Sequence, residues 1–148
     1  MKPSHGEQIT LTMERIANTG KKEKWGVFLH LLASEVGGTF LELGSCAGIS
    51  GAYLASAPNC KKLFSVEGSA ALAGLARETI DQVAPGRAEV INGLFNDVLD
   101  SLLPELGENA LDLAFIDGHH ERVATLHYYE RIKPALRPGA VVVFDDIS

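Results

Sequence analysis

The sequence predicts an α/β fold built on one doubly wound, mostly parallel sheet with helices on both faces. Two observations carry that expectation. Short apolar runs of strand length alternate with amphipathic stretches of helical period through most of the 148-residue chain, the pattern of successive βαβ units. The run at 111–117 is apolar at nearly every position, as befits a parallel strand covered on both faces. Crossovers between parallel strands are right-handed, so such units wind onto a single sheet.

Taken in order, residues 7–18 place Ile9, Met13 and Ile16 at helical spacing and break at Thr19-Gly20. Trp25, Phe28, Leu29, Leu32 and Val36 then mark one helix face, stopped by Gly37-Gly38. The first strand is 39–43, and the helix after it, 49–57, ends at Pro58-Asn59. A second strand at 63–67 leads to Ser69, an N-cap for a helix with the apolar face Leu72, Leu75, Ala76, Ile80 and Val83. Pro85-Gly86 closes that helix. Residues 88–92 form a short third strand, and 97–103 a short helix ended by Pro104. After the fourth strand at 111–117, a long helix over 121–136 is bent at Pro134. Arg137-Pro138-Gly139 turns into the fifth strand, 140–144. No repeat or linker interrupts the series. The chain therefore reads as one domain over 1–148, with N-terminal helices in 1–38 and a core in 39–148.

Composition narrows the functional classes. With 46% hydrophobic and 22% charged residues the chain is globular rather than disordered. A formal net charge of −6 gives no basic footprint for nucleic acid, and the densest basic patch, Lys21-Lys22-Glu23-Lys24, reads as a solvated helix start. No run approaches the roughly 18 apolar residues of a membrane span, and the N-terminus lacks a signal-peptide pattern. Cys46 and Cys60 have no C-x-x-C spacing that would suggest zinc or a disulfide framework. These features predict a cytoplasmic protein that binds neither nucleic acid nor membrane.

The most informative run is Phe-Leu-Glu-Leu-Gly-Ser-Cys-Ala-Gly-Ile-Ser, from Phe40 to Ser50. A strand ends, turns on Gly44, passes Gly48 and enters a helix. Gly44 suits a tight turn, and Gly48 suits close approach of the backbone to a ligand. The N–H groups of the following helix offer a seat for a carboxylate or phosphate. Cys46 stands where a dinucleotide fingerprint would have its second glycine, which argues against a pyrophosphate and for a smaller nucleoside ligand. Glu42 is expected to take a cationic amine or a ribose hydroxyl.

Ligands of open α/β sheets bind at the carboxyl ends of the strands. Those ends carry Glu42 and Gly44, Glu67-Gly68, Asn92-Gly93, Asp117-Gly118-His119-His120 and Asp145-Asp146. Glu67 lies near the ~20-residue distance from the glycine turn expected of a carboxylate that grips ribose hydroxyls. Asp117, Asp145 and Asp146 fall at the ends of neighbouring strands. Converging carboxylates repel unless a hard cation joins them, and an all-oxygen set suits magnesium better than zinc. His119 and His120 follow directly, and a neutral imidazole there could take a proton from a substrate hydroxyl. His127 reads as a surface or packing residue, and His5 and His30 have no neighbours in sequence that suggest chemistry.

The run from Glu42 to Ser50, followed by Val66-Glu67, resembles the first two motifs of the class I S-adenosylmethionine-dependent methyltransferases. The likeness extends from about Trp25 to the end of the chain and implies a Rossmann-like sheet. In that family the first loop holds the methionine end of the cofactor and the acid after strand two holds the ribose. The implied cofactor-binding residues are Glu42, Gly44, Ser45, Gly48, Ser50, Glu67, Gly68, Gly93, Leu94 and Asp117. Where the family often has an acid for the adenine amino group, Gly93 is followed here by Leu94-Phe95. Adenine is then held by backbone groups and packing, or by Asn92 or Asn96. The family also continues past strand five into a helix and an antiparallel strand pair. Ending at Ser148, this sequence lacks that pair and reads as truncated, or as completing its exposed sheet edge in a homodimer.

Phe115-Ile116-Asp117-Gly118-His119-His120 and Val143-Phe144-Asp145-Asp146-Ile147 are similar to segments of the metal-dependent O-methyltransferase branch, which includes catechol-type and macrocin-type enzymes. That resemblance implies Asp117, Asp145 and Asp146 as Mg2+ ligands and His120 as general base, the histidine of macrocin-type rather than the lysine of catechol-type enzymes. The activity it implies is O-methylation of a small hydroxylated molecule or sugar. Two other readings stand beside it: a non-catalytic S-adenosylmethionine-binding or assembly domain, and, disfavoured by Cys46, an NAD-dependent oxidoreductase.

Overall fold

Strands and helices alternate through residues 23–117 and 122–145, the part of the chain that the computed structural model describes. The order is α1 (Glu23–Val36), β1 (Gly38–Leu43), α2 (Ile49–Ala55), β2 (Cys60–Glu67), α3 (Ala70–Val83), β3 (Ala88–Asn92), α4 (Phe95–Leu106), β4 (Leu111–Ile116), α5 (Arg122–Ile132) and β5 (Leu136–Phe144). The helix expected at 7–18 and His5 lie outside the described residues, as do Gly118, His119, His120 and Asp146.

Among the described residues the strands form one sheet in the order β3-β2-β1-β4-β5, and every pairing is parallel. The chain runs from β1 outward to β3, then crosses back to lay β4 on the other side of β1. That reversal opens a crevice at the carboxyl ends of β1 and β4. Alternation of side chains splits the core in two. Phe40, Leu63, Leu113 and Phe115 pack under α1, α2 and α3, whereas Leu41, Leu43, Val66, Ala114 and Ile116 pack under α4 and α5. The fourth strand is buried on both faces, as its run of apolar residues, broken only at Asp112, requires.

Several boundaries differ from the sequence reading, each for a local reason. The helix α4 passes Pro104 instead of stopping there. Pro104 sits in the last turn, so it removes one ladder N–H near the end, and Gly107, at φ 80°, closes the helix with its N–H on the Leu103 carbonyl. The helix expected to run to residue 136 ends at Ile132 and tightens into a 3-10 turn at Lys133–Ala135 that contains Pro134. Arg137-Pro138-Gly139 lies inside β5 rather than before it. Between the pairs Leu111↔Leu136 and Leu113↔Val141 the fifth strand bulges, and Arg137 pairs there with Asp112, which also accepts the Thr39 N–H at 2.7 Å. The second strand begins at Cys60, before the expected Leu63, and α2 stops at Ala55.

Ser69 caps α3 as expected, its hydroxyl accepting the Leu72 N–H at 3.3 Å. Phe28, expected on the buried face of α1, is 44% exposed, and the packed face centres on Gly26, Leu29 and Ala33. Tyr53 of α2 decides this rotation. Its ring lies so close to Gly26 that an added Cβ would stand 2.2 Å from Cε2.

Candidate functional site

Backbone hydrogen bonds carry the sheet ladder one step past the strand ends. Gly44 N–H donates to the Val66 carbonyl (2.8 Å), Gly93 to Glu67 (3.1 Å), Asp117 to Leu43 (2.9 Å) and Asp145 to Ile116 (3.1 Å). Gly93, Glu67, Gly44, Asp117 and Asp145 therefore stand in a row along one edge of the sheet, the arrangement the sequence predicts. His119, His120 and Asp146, which would extend the row, lie outside the described residues.

Behind Gly44, which has φ 106°, the loop passes Cys46 at φ 49° and Gly48 at φ 88°. This left-handed turn aims the Cys46 N–H at Glu67 Oε2, 2.8 Å away, while the Ser69 N–H reaches Glu67 Oε1 at 3.0 Å. Glu67 is only partly buried. Each of its oxygens accepts one backbone N–H and keeps capacity for a second donor, so the carboxylate is oriented without being used up. Ribose hydroxyls are donors, and this acceptor pair suits them. Gly68, next in the chain to Glu67, is exposed, and so is the Leu94 side chain just past the end of β3, at 68%.

Four of the residues expected at the ligand, Glu42, Ser45, Gly48 and Ser50, have partners within the protein instead, the Ser45 and Ser50 side chains being buried against Ser65 and Glu42. Glu42 is 0% exposed. Its side chain points beneath α2, where Oε2 accepts the Ser50 hydroxyl at 2.5 Å and Oε1 accepts the Ser65 hydroxyl at 2.6 Å. The expected contact with an amine or ribose hydroxyl is replaced by these, because the strand's alternation places residue 42 on the same inward face as Phe40. Burial, offset in part by the Ser50 and Ser65 hydroxyls and reinforced by Asp117 and Glu67, pushes the Glu42 carboxyl up to about 7. Gly48 faces protein rather than ligand. A Cβ there would lie 2.7 Å from Ala76 Cα and 2.8 Å from its carbonyl oxygen, so this glycine seats the loop on α3.

The side-chain amides considered for adenine are likewise engaged within the fold. Asn92 donates to the Glu67 carbonyl at 2.8 Å, and Asn96 accepts from Arg131 at 3.3 Å and lies 3.3 Å from His127 Nε2. His127 is thus a tie between α4 and α5. His30 is structural too, its Nδ1 lying 3.0 Å from the Tyr53 carbonyl.

Sequence reasoning missed Ser65 and the amide of Ser69. Ser65 had a signal: a hydroxyl in the middle of an apolar strand, on the face shared with Leu63, needs a partner when buried. The role of Ser69 N–H follows from helix geometry at an N-cap and is invisible in residue identity.

Asp117 and Asp145 cap adjacent strands and supply oxygen donors of the kind a hard divalent ion takes. Among the described residues no group of three His, Cys, Asp or Glu side chains is close enough to hold a metal. No described helix is long and apolar enough to cross a membrane.

Residues 41–147 match the model of a family described as a methyltransferase domain. The chain belongs to that family. Among solved structures it is similar to the O-methyltransferase from Bacillus cereus in complex with SAH, at 30% identity and a TM-score of 0.77, over 85% of this chain and 57% of that one. It is also similar to the O-methyltransferase TomG from Streptomyces achromogenes, involved in tomaymycin synthesis and solved with SAM, at 28% identity and a TM-score of 0.76, over 85% of this chain and 56% of that one. The methyltransferase domain described here thus spans little more than half the length of these relatives. It shares their Rossmann-like core, and every strand pairing among its described residues is parallel. No curated protein matches the sequence.

Proposed function

We propose that this methyltransferase domain binds S-adenosylmethionine at the carboxyl ends of β1, β2 and β3 and catalyses metal-assisted O-methylation of a small hydroxylated molecule or sugar. The observation that carries the cofactor reading is the Glu67 carboxylate, oriented by the Cys46 and Ser69 amides with acceptor capacity left for a diol. Relatives solved with SAH and SAM support it. In this reading the backbone of the loop after Gly44 holds the methionine end, Glu67 and Gly68 the ribose, and Gly93 and Leu94 the adenine face. Asp117 borders both the cofactor and the acceptor.

The bound cofactor supplies a methyl group already activated on a sulfonium. For the acceptor, Asp117, Asp145 and Asp146 would hold Mg2+, which when bound lowers the pKa of a coordinated hydroxyl. His120 would take the proton of the acceptor hydroxyl as general base, and the residues at the edge of the sheet would orient the acceptor for in-line attack, where positioning provides much of the rate. Calorimetric titration with S-adenosylmethionine and S-adenosylhomocysteine tests the cofactor step, and absence of binding by both refutes it. Turnover unaffected by chelator would remove the metal from the reading.

A second reading is cofactor binding without transfer. Cofactor binding with no methyl transfer to any of a panel of hydroxylated acceptors, Mg2+ present, would decide for it.

A further inference from the structure

The buried carboxylate of Glu42 has no part in the chemistry above, yet both of its oxygens are hydrogen-bonded beside the loop. Ser50 donates to one of its oxygens at 2.5 Å and Ser65 to the other at 2.6 Å, while the Ser65 hydroxyl also contacts that of Ser45. All four side chains are sealed from solvent, at 0% exposure for Glu42 and Ser65, 1% for Ser45 and 6% for Ser50. Ser45 and Ser50 are the two ends of the glycine loop. One carboxylate therefore ties down both ends at once, from a rigid central strand.

The loop needs such a tie. Gly44, Cys46 and Gly48 all adopt positive φ, and Cys46 does so with a side chain, which costs about 1 kcal/mol or more per residue for an L-amino acid. Such a conformation persists only where its surroundings over-determine it. It is also the conformation that turns the Cys46 N–H toward Glu67. The carboxylate is wedged tightly below α2. A Cβ added at Gly51 would lie 2.9 Å from Glu42 Oε1.

We infer that Glu42 is a positioning residue, which through Ser50 and through Ser65 and Ser45 fixes the glycine loop so that its Cys46 amide orients the Glu67 carboxylate for the ribose. The inference rests on the cofactor reading above.

The test is calorimetric titration of S-adenosylhomocysteine into wild-type protein, Glu42→Ala, Glu42→Gln and Glu67→Ala, with the double variant Glu42→Ala/Glu67→Ala. Loss of the tie should weaken binding about tenfold in Glu42→Ala, as expected when one hydrogen bond's worth of orientation is lost. Glu42→Gln, able to accept from one serine and donate to the other, should restore affinity to within about threefold of wild type. On a Glu67→Ala background the Glu42→Ala change should add less than about twofold, because its effect runs through Glu67. A residue that merely stabilised the fold would not show the non-additivity. Wild-type affinity in Glu42→Ala, or a full tenfold loss on the Glu67→Ala background, overturns the inference alone. Failure of the wild-type protein to bind overturns the cofactor reading and the inference with it. If Glu42→Ala does not fold, Ser45→Ala and Ser50→Ala remove the tie one end at a time, and undiminished affinity in both overturns the inference.

Discussion

Replacing Glu42 by Gln should flatten the dependence of stability on pH. In the folded protein burial raises the Glu42 carboxyl from its ordinary 4.5 to about 7. The folded state therefore holds this proton more tightly than the unfolded chain does. Its contribution to stability is fully present below pH 4.5 and is lost as pH rises through 7. At about 1.4 kcal/mol per unit the complete loss is about 3 kcal/mol, most of it between pH 5 and pH 8. With a urea m-value of about 1.5 kcal/mol/M, the wild-type midpoint should fall by roughly 1.5 M over that range on account of this group. Glu42→Gln has no proton to lose and fills the same space between Ser50 and Ser65. Urea unfolding of both proteins, followed by circular dichroism at half-unit steps from pH 5 to pH 8, should show the variant gaining about 1.5 M in midpoint relative to wild type. Parallel curves would refute the reasoning, because they would mean that the carboxylate is as well solvated in the fold as in the open chain.

Glu67→Ala should weaken binding of S-adenosylmethionine at least tenfold while leaving the urea midpoint within the range of surface substitutions, measured by calorimetry and denaturation on the same samples. Gly48→Ala, by contrast, should cost about 2–3 kcal/mol, since its Cβ meets the Ala76 backbone at a positive φ; thermal unfolding reads this as a fall in Tm of several degrees. Asp145→Asn should abolish magnesium-dependent methyl transfer but retain binding of S-adenosylhomocysteine, and equal turnover with and without chelator would exclude the metal step.

The course of the sheet was legible because each strand is written twice, in its apolar run and in the punctuation that follows it. Gly37-Gly38 and Pro85-Gly86 bracket elements that the structure keeps. Boundaries failed where tertiary bonds override local chemistry: Asp112 draws Arg137 into β5, and Gly107 rather than Pro104 ends α4. At the site, the row of strand-end residues followed from parallel topology alone, and Glu67 was correctly expected to stand at the end of β2. Glu42 and Gly48 were harder. Residue identity says that a carboxylate or a missing Cβ serves something close by, but not on which side of the strand or loop. Alternation from Phe40 gives the answer for Glu42 once Phe40 is known to pack under α1, α2 and α3. For Gly48 the neighbour is Ala76, which lies 28 positions away and follows from packing alone.

The central claim is that the row of residues at the carboxyl edge is a nucleoside-cofactor site gripped by Glu67. Calorimetric titration of S-adenosylhomocysteine into the wild-type chain and into Glu67→Ala tests it most directly. Saturable one-to-one binding by the wild type, weakened at least tenfold in the variant, is the expected result. No binding by the wild type, or equal affinity in both proteins, would contradict it.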